Sequence, residues 1–245
     1  MSIRFLLDQI RRLPVVRRQL RSLEKKRQRR QIAASPDPKT AFTIIYRENV
    51  WGNRESISGN GSTLASTEAF RAEFAALLGE LGVRSILDAP CGDFNWMRLV
   101  ALPSGTRYIG ADIVDEIITR CRARHASPER EFVVLDIIRD DHPTADLWLC
   151  RDALIHLSNA DALSALTRFV GSGTKFCLIT TRPDVARNRD IPTGLTRPVN
   201  LTAAPFLLPP PRRMLSDRPV RERPRMLGLW TRQEVAAALG RAPRS

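Results

Sequence analysis

The sequence predicts an α/β protein with a mostly parallel, twisted sheet and helices on both faces. Short apolar runs alternate with longer segments whose apolar residues recur at helical spacing, which is the pattern of consecutive strand and helix units. The clearest junction lies at residues 84–93, where an apolar run ends at Asp88 and Pro90 and Gly92 force the backbone to turn. A strand, a tight turn and a helix start are expected there, at the carboxyl edge where open α/β sheets bind ligands.

The same periodicities predict the other elements in order. An amphipathic helix from Glu68 to Leu81, stopped by Gly82, precedes the first strand. Predicted strands cover residues 84–88, 107–112, 131–136, 145–150 and 174–180, and predicted helices lie near 94–101, 114–124, 155–170 and 231–239. A short helix near 42–49 and two strands near 212–216 and 225–230 complete the set.

Two carboxylates at predicted strand ends indicate the charge of the ligand. A pyrophosphate beside Asp88 would meet like charge, at a cost of a few kcal/mol for an effective dielectric constant of about 20. Asp112 lies 24 residues further on, where an acid binds ribose hydroxyls in dinucleotide-binding folds. A phosphate-free ligand with an ammonium and a sulfonium suits both carboxylates, which favours S-adenosylmethionine as the cofactor.

The composition predicts one domain in a reducing compartment. The 245 residues are 43% hydrophobic, enough for one sizeable core. Four widely spaced cysteines form neither a metal-binding CxxC pattern nor a disulfide framework. No run approaches the roughly 18 apolar residues of a membrane span, and Arg4, Asp8 and Arg11 interrupt any signal-peptide core. A cytoplasmic protein is expected, with peripheral membrane association as an option.

Residues 1–34 are expected to form a basic helical arm. They contain eleven Lys or Arg and two acidic residues, which is +9 of the net charge of +13. Apolar residues from Ile3 to Leu23 recur at helical spacing, and Pro14 is expected to kink or divide the helix. The arm is either a solvated helix or tail, or a contact for an anionic membrane surface or an acidic partner. Nucleic acid is less favoured, because Phe5 is the only aromatic residue of the arm.

The rest of the chain is expected to be a linker at residues 35–40 and a single domain at 41–245. Within it, the Gly/Ser-rich loop Trp51–Ser62 is either a connector or a cover over a ligand. Residues 182–224 contain nine of the 17 prolines and many arginines, so this insertion cannot be a core helix. It is either a disordered loop or a segment that faces the substrate.

From residue 42 to about residue 230, the sequence resembles the class I S-adenosylmethionine-dependent methyltransferases, whose fold is Rossmann-like. The likeness is greatest to a group of mostly bacterial methyltransferase-domain proteins with two motifs, present here as WGNRESISGNGS at Trp51–Ser62 and LDAPCGDFNWM at Leu87–Met97. Further matching stretches are Tyr108–Ile113, Leu135–Ile137, Cys150–Ser158, Asn200-Leu201, Pro205-Phe206 and Leu227–Trp230. The turn departs from the commoner Asp-x-Gly-x-Gly pattern, because Pro90 and Asp93 take its outer positions.

The resemblance implies which residues bind the cofactor. Asp88 and the Cys91-Gly92 turn would hold the methionine end, Asp112 the ribose hydroxyls, and Asp136 the adenine amino group. The full implied set is Asp88, Ala89, Cys91, Gly92, Asp112, Ile113, Asp136, Ile137 and Arg151, with Trp51 and Ser58 from the loop. Asp88 and Asp112 could instead cap the turns that follow them.

Three residues after the fourth predicted strand are candidates for catalysis. Arg151 and Asp152 would border the transferred methyl group, and Asp152 or His156 could take a proton from an acceptor hydroxyl. Alternatively, Arg151 and Asp152 pair only with each other and His156 is structural. No metal is expected, because Asp140-Asp141-His142 followed by Pro143 is typical of a solvated turn.

The predicted activity is methyl transfer from S-adenosylmethionine to an unidentified acceptor, with a hydroxyl of a small molecule or glycan favoured. RNA is an alternative acceptor, and a non-catalytic scaffold that binds the cofactor is another alternative. A nicotinamide-dependent oxidoreductase is disfavoured, because Gly-x-Gly-x-x-Gly is missing after the first predicted strand.

Overall fold

A seven-stranded sheet organises the computed structural model, which describes residues 14–217 and 225–240. The strands are β1 (Ser85–Asp88), β2 (Arg107–Asp112), β3 (Arg130–Val134), β4 (Leu147–Cys150), β5 (Phe176–Thr181), β6 (Arg213–Ser216) and β7 (Met226–Thr231). Their spatial order is β3-β2-β1-β4-β5-β7-β6, and β7 is antiparallel to both of its neighbours. The chain order reverses between β1 and β4, so the crevice outside their carboxyl ends is the expected ligand site.

Six α-helices accompany the sheet in the described residues. They are α1 (Pro14–Ala33), α2 (Pro38–Arg47), α3 (Glu68–Glu80), α4 (Asp115–His125), α5 (Asn159–Gly171) and α6 (Arg232–Leu239). The start of α5 is fixed by Ser158, which accepts a hydrogen bond from the Asp161 N–H. Thr231 and Glu234 form a capping box at α6. The predicted α/β architecture is confirmed, with shifts of a few residues at element ends.

Hydrophobic clusters cover both faces of the sheet. Ile86 of β1 belongs to the cluster that contains Phe74 of α3 and Ile118 of α4. Its neighbour Leu87 belongs to the cluster that contains Leu166 of α5. Because successive strand side chains point to opposite faces, a central strand buried on both sides is apolar throughout. This explains why all four residues of β4 are apolar and why Ile86 and Leu87 are adjacent apolar residues in β1.

The predicted helix near 94–101 is wrong. These residues form an irregular turn with a single 3₁₀ turn at Met97–Leu99. Gly92 and Phe94 have φ angles of 55° and 58°, which a right-handed helix does not allow. The apolar residues that suggested a helix are used for packing instead, since Phe94, Trp96 and Met97 are buried in the cluster with α3. A packed turn, and no helix N-terminus, therefore follows β1.

Residues 182–212 contain no helix or strand but are not a disordered loop, so that alternative is wrong for this part of the insertion. Val199, Leu201, Phe206 and Leu208 are buried in the cluster that also contains Trp148. The prolines prevent regular hydrogen bonding, while the apolar side chains between them supply area to bury. Residues 218–224 lie outside the described residues.

The N-terminal arm continues into the domain through a short turn. Its described part is α1, and residues 1–13 lie outside the described residues. The next helix, α2, begins inside the predicted linker, where Asp37 accepts a hydrogen bond of 2.8 Å from the Thr40 N–H. Across residues 14–217 and 225–240, no helix combines the length and the apolar character that crossing a bilayer requires.

Candidate active site

A cavity of about 350 Å³ lies at the carboxyl ends of β1, β2 and β4. Because these strands are parallel and adjacent, the residues at their ends meet at one edge of the sheet. The cavity is lined by nearly all of the predicted site residues: Trp51, Ser58, Asp88, Cys91, Gly92, Asp112, Ile113, Asp136, Ile137, Arg151, Asp152 and His156. Ala89 does not line it, since its N–H and carbonyl group bond to the Leu149 carbonyl and the Trp148 side chain.

Asp112 is fixed at the tip of β2 by two backbone groups. One carboxylate oxygen accepts from the Gly92 N–H at 3.2 Å and the other from the Val114 N–H at 3.0 Å. The residue is 7% exposed, and burial raises its pKa to about 6 against these hydrogen bonds. A carboxylate offers about four lone pairs, so Asp112 keeps acceptor capacity for a ligand.

Asp88 is more deeply buried at the tip of β1. The Tyr108 hydroxyl donates to its carboxylate at 2.6 Å. Burial raises the pKa of Asp88 to about 7, although the Tyr108 hydrogen bond and the Arg151 charge oppose the rise. At neutral pH a cation in the cavity would therefore favour the ionised form of Asp88.

The raised pKa of Asp88 predicts an unusual pH dependence of stability. Its pKa in the folded protein is above the unfolded value of about 4, so its contribution to stability is greatest in acid and is lost as the pH rises to about 7. Relative to Asp88→Asn, the free energy of unfolding of the wild type should fall by about 2 kcal/mol between pH 5 and pH 8. Urea unfolding of both proteins at these two pH values is the measurement, and parallel pH profiles would contradict it.

The turn after β3 carries Asp136 and Ile137 into the cavity wall. Asp136 is partly buried, and its carboxylate accepts from the Ile138 N–H at 2.9 Å. The Ile137 carbonyl lies 2.9 Å from Nε2 of His142, a buried histidine whose pKa is lowered by burial. The predicted solvated turn at 140–142 is thus only partly exposed, because His142 supports the cavity wall from behind.

The Gly/Ser-rich loop Trp51–Ser62 covers the turn after β1. Asp93 accepts hydrogen bonds from the Ser56 hydroxyl and from the Ile57 N–H, both at 2.9 Å. Asn95 donates to the Glu55 carboxylate at 2.9 Å and to the Ser62 carbonyl at 3.0 Å. The two sequence motifs of the resemblance are therefore one structural unit, which sequence reasoning missed because their partners lie about 40 residues apart.

Gly92 is required where this loop meets the turn. Its φ of 55° favours glycine, and a Cβ built there would lie 2.2 Å from the Ser58 hydroxyl oxygen. The missing side chain lets the loop approach the backbone at the floor of the cavity.

Removal of the Asp93 carboxylate is expected to loosen this loop. Asp93→Ala deletes the acceptors for Ser56 and Ile57, and Arg54 in the same loop is an exposed trypsin site. Because proteolysis follows local opening, cleavage after Arg54 should become roughly tenfold faster. Limited trypsin digestion with mass spectrometry measures the rate. The exposed Asp115→Ala serves as the control, and an unchanged rate in Asp93→Ala would show that the loop is held by other contacts.

Beyond Asp88, four charged residues form a buried network. Arg151 donates to one oxygen of Asp217 at 2.8 Å, and Nε of Arg225 lies 2.6 Å from the other oxygen. Arg225 also binds the Asp152 carboxylate, while Arg151 lies 3.9 Å from it. The alternative that Arg151 and Asp152 pair only with each other is therefore wrong. Asp217 and Arg225 flank residues 218–224, and no sequence motif pointed to them.

Arg151, directly after β4, also binds the loop Trp51–Ser62. Its guanidinium donates to the Gly61 carbonyl at 2.6 Å and lies 5.2 Å from the ring centroid of Trp96. A Cβ on Gly61 would lie 2.8 Å from the Arg225 guanidinium, so this glycine permits the close approach. The loop Trp51–Ser62 is therefore held both by Asp93 and Asn95 of the turn after β1 and by Arg151 after β4.

His156 and Trp51 also line the cavity, and their ring centroids are 5.0 Å apart. Nδ1 of His156 lies 3.1 Å from the Leu195 carbonyl oxygen and 3.0 Å from the Thr196 hydroxyl. Because a carbonyl oxygen only accepts, this contact places the proton on Nδ1 and the lone pair on Nε2. Burial lowers the pKa of His156, which favours the neutral ring. Thr196 belongs to the Pro-rich insertion, so that segment does contribute to the cavity wall.

A further part of the cavity wall comes from α2. Phe42, Ile45 and Tyr46 line the cavity, and the Tyr46 hydroxyl accepts a hydrogen bond of 2.9 Å from Arg120 of α4. Among the described residues, no group of three or more His, Cys, Asp or Glu side chains is arranged to hold a metal ion.

Comparison with known proteins supports the fold. No protein-family model matches the chain, and no curated protein matches it in sequence. The structure is similar to that of the magnesium protoporphyrin IX methyltransferase ChlM from Synechocystis PCC 6803 with bound SAM, with 14% identity and a TM-score of 0.55 over 80% of this chain and 98% of that chain. It is also similar to PigF with SAH, with 14% identity and a TM-score of 0.58 over 83% of this chain and 65% of that chain.

The chain therefore has the Rossmann-like fold of class I S-adenosylmethionine-dependent methyltransferases. The expectation drawn from the resemblance is confirmed for the fold.

Proposed function

We propose that this protein is an S-adenosylmethionine-dependent methyltransferase that acts on a hydroxyl group of a small molecule. The observation that carries the proposal is the set of carboxylates at neighbouring strand ends, Asp88, Asp112 and Asp136, which open into one covered cavity. Burial raises the pKa values of all three, which indicates a site that is suited to a cation. The fold agrees with this assignment.

The residues present fit the cofactor. Asp112 has unused lone pairs for ribose hydroxyls, and Asp136 lies at the end of the next strand, where it would accept from the adenine amino group. The Cys91-Gly92 turn lines the cavity, and Asp88 adds negative charge for the sulfonium and ammonium end. Ile113 and Ile137 would flank the adenine and ribose.

When bound, S-adenosylmethionine supplies an electrophilic methyl group. The protein has to place the acceptor in line with that group and exclude water, and such positioning lowers a barrier by several kcal/mol. The loop Trp51–Ser62, which Asp93 and Arg151 hold over the cavity, would exclude water. An acceptor hydroxyl must also lose its proton.

His156 is the proposed general base. The Leu195 carbonyl leaves the lone pair on its Nε2, burial lowers its pKa and so favours the neutral ring, and it lines the cavity. Asp152 is less suited to this role, because Arg225 holds its carboxylate in an ion pair. Arg151 and Asp152 are proposed to shape the region around the transferred methyl group.

A small acceptor fits the enclosure better than a polymer. Phe42, Tyr46, Trp51 and Ile155 supply aromatic and aliphatic surface to the cavity wall, which makes the cavity a partly apolar recess. Such a recess suits a compact molecule with an apolar body and a few polar groups.

Calorimetry tests the cofactor assignment. We expect S-adenosylhomocysteine to bind the wild-type protein at least 100-fold more tightly than NAD, whose pyrophosphate would meet Asp88. Preferential binding of NAD would overturn the proposal. Transfer of a labelled methyl group is then measured over a panel of small hydroxyl compounds. In that assay His156→Gln should keep the affinity for S-adenosylhomocysteine and lose roughly 100-fold or more in turnover. Methylation of RNA in place of small hydroxyl compounds would contradict the proposed acceptor class.

A further inference from the structure

The exposed helix α1 lies outside the proposed active site and carries a large positive charge. Between Pro14 and Ala33 it contains eight Lys or Arg and one acidic residue, Glu24. From Arg18 to Ala33 the described side chains are exposed, apart from the half-buried Gln28 and the buried Ile32. Self-repulsion of this kind destabilises a helix that has no partner, so its charge has to be explained.

The described contacts of α1 are concentrated at its C-terminal end. Ile32 packs with Ala41 and Ile45 of α2, and Gln28 donates to the Glu48 carboxylate at 3.1 Å. The two turns before Gln28 extend away from these anchors. A helix fixed at one end presents the rest of its length to a partner.

One stripe of α1 combines apolar and basic side chains. Leu20, Leu23, Arg27 and Arg30 follow one another at spacings of three, four and three residues, which places them on one helix face. Leu20 is 40% exposed and Leu23 is 62% exposed, and both cations are exposed as well. Contact with water does not account for leucine side chains that are exposed at these two positions.

We propose that α1 is a docking surface for a membrane that contains anionic lipid. The leucines would enter the boundary between headgroups and acyl chains, and Arg27 and Arg30 would contact lipid phosphates, with Lys26 beside them. Charge complementarity alone would serve RNA equally well. The paired leucines favour the lipid surface, because a phosphodiester backbone offers no apolar layer to receive them.

Docking in this way would connect the membrane to the active-site cavity. Ile32 anchors α1 to the helix whose Ile45 lines the cavity. The proposal is independent of the proposed function, since it concerns only the surface of α1.

Vesicle cosedimentation of the full chain tests the proposal. The probes are vesicles of phosphatidylcholine alone and vesicles in which about a third of the lipid is phosphatidylglycerol. We expect at least tenfold stronger binding to the anionic vesicles, which weakens as salt is raised. The variant Arg27→Glu/Arg30→Glu should lose at least tenfold in binding. Leu20→Ser/Leu23→Ser should also lose at least tenfold although its charge is unchanged.

A matched control variant distinguishes an effect of the α1 surface from an effect of the net charge of the protein. Arg84→Glu/Arg124→Glu makes the same charge change at two exposed positions outside α1, and it should keep most of the vesicle binding. Calorimetry with S-adenosylhomocysteine on every variant checks that the domain is intact. Equal binding to both vesicle types would overturn the proposal. Tight binding to a single-stranded RNA that is unaffected by Leu20→Ser/Leu23→Ser, without a preference for anionic vesicles, would also overturn it and assign the helix to nucleic acid.

Discussion

Asp112→Ala is expected to weaken binding of S-adenosylhomocysteine by roughly 100-fold or more. The carboxylate is proposed to accept two ribose hydroxyls, and each hydrogen bond to a charged acceptor contributes about 1.5–3 kcal/mol. The substitution also removes the acceptors for the Gly92 and Val114 N–H groups, which shape the turn beside the ligand. Calorimetry measures the affinity directly.

Asp115→Ala is the matched control for this experiment. Asp115 lies three residues away at the start of α4, is exposed, and pairs with Lys39 at 2.7 Å. Its removal should leave the affinity within about twofold, because a surface ion pair contributes little. Thermal unfolding of both variants shows whether the turn itself has been lost. Unchanged affinity in a folded Asp112→Ala protein would contradict the ribose assignment and, with it, the proposed cofactor pose.

Asp217→Asn is expected to reduce the free energy of unfolding by about 3–5 kcal/mol, as removal of one partner from a buried ion pair does. Asp217 is 1% exposed and binds Arg151 and Arg225 through separate oxygens. Without its charge, the buried guanidinium groups of Arg151 and Arg225 would each lose a carboxylate partner. Urea unfolding measures the loss. The exposed pair of Lys39 and Asp115 provides the comparison, since Asp115→Asn should cost less than about 1 kcal/mol.

A second substitution separates charge balance from packing. Asp217→Asn/Arg225→Met removes one cation together with one anion, which restores the charge balance of the network, and should recover at least about 1 kcal/mol of the loss. If the double variant is no more stable than Asp217→Asn, the effect of Asp217 lies in its shape and hydrogen bonds. A loss below about 1 kcal/mol in the single variant would show that the network is well hydrated.

Local patterns were sufficient for the elements with strong periodicity. The apolar runs of β1 and β2 are buried as the sequence predicted, because central strands are covered on both faces. The stripe Phe70, Phe74 and Leu78 of α3 is buried because a helix that packs on a sheet buries one face, which creates its period. The same patterns failed at 94–101, where apolar spacing resembled a helix but positive φ angles at Gly92 and Phe94 prevent one. The spacing of apolar residues predicts which side chains are buried. More than one backbone conformation can bury the same side chains.

The Pro-rich insertion shows a different failure. Its prolines excluded regular structure correctly, yet the buried Val199 and Phe206 show that irregular backbone can still pack in the core. The proline content of a segment indicates how many backbone hydrogen bonds it can form. The proline content does not indicate whether the apolar side chains of the segment can pack against another part of the protein.

The sequence by itself determined the sheet, the order of its strands along the chain and the acids at the strand ends, since each of these depends on residues that are close together in the chain. Only the tertiary structure decided that Asp93 and Asn95 hold the loop Trp51–Ser62, that Asp217 and Arg225 surround Asp152, and that His156 meets Trp51 and Thr196. Apart from the pair Asp217 and Arg225, these contacts join residues between 36 and 105 positions apart. Their geometry depends on how the strands and loops pack in space, which no local pattern encodes.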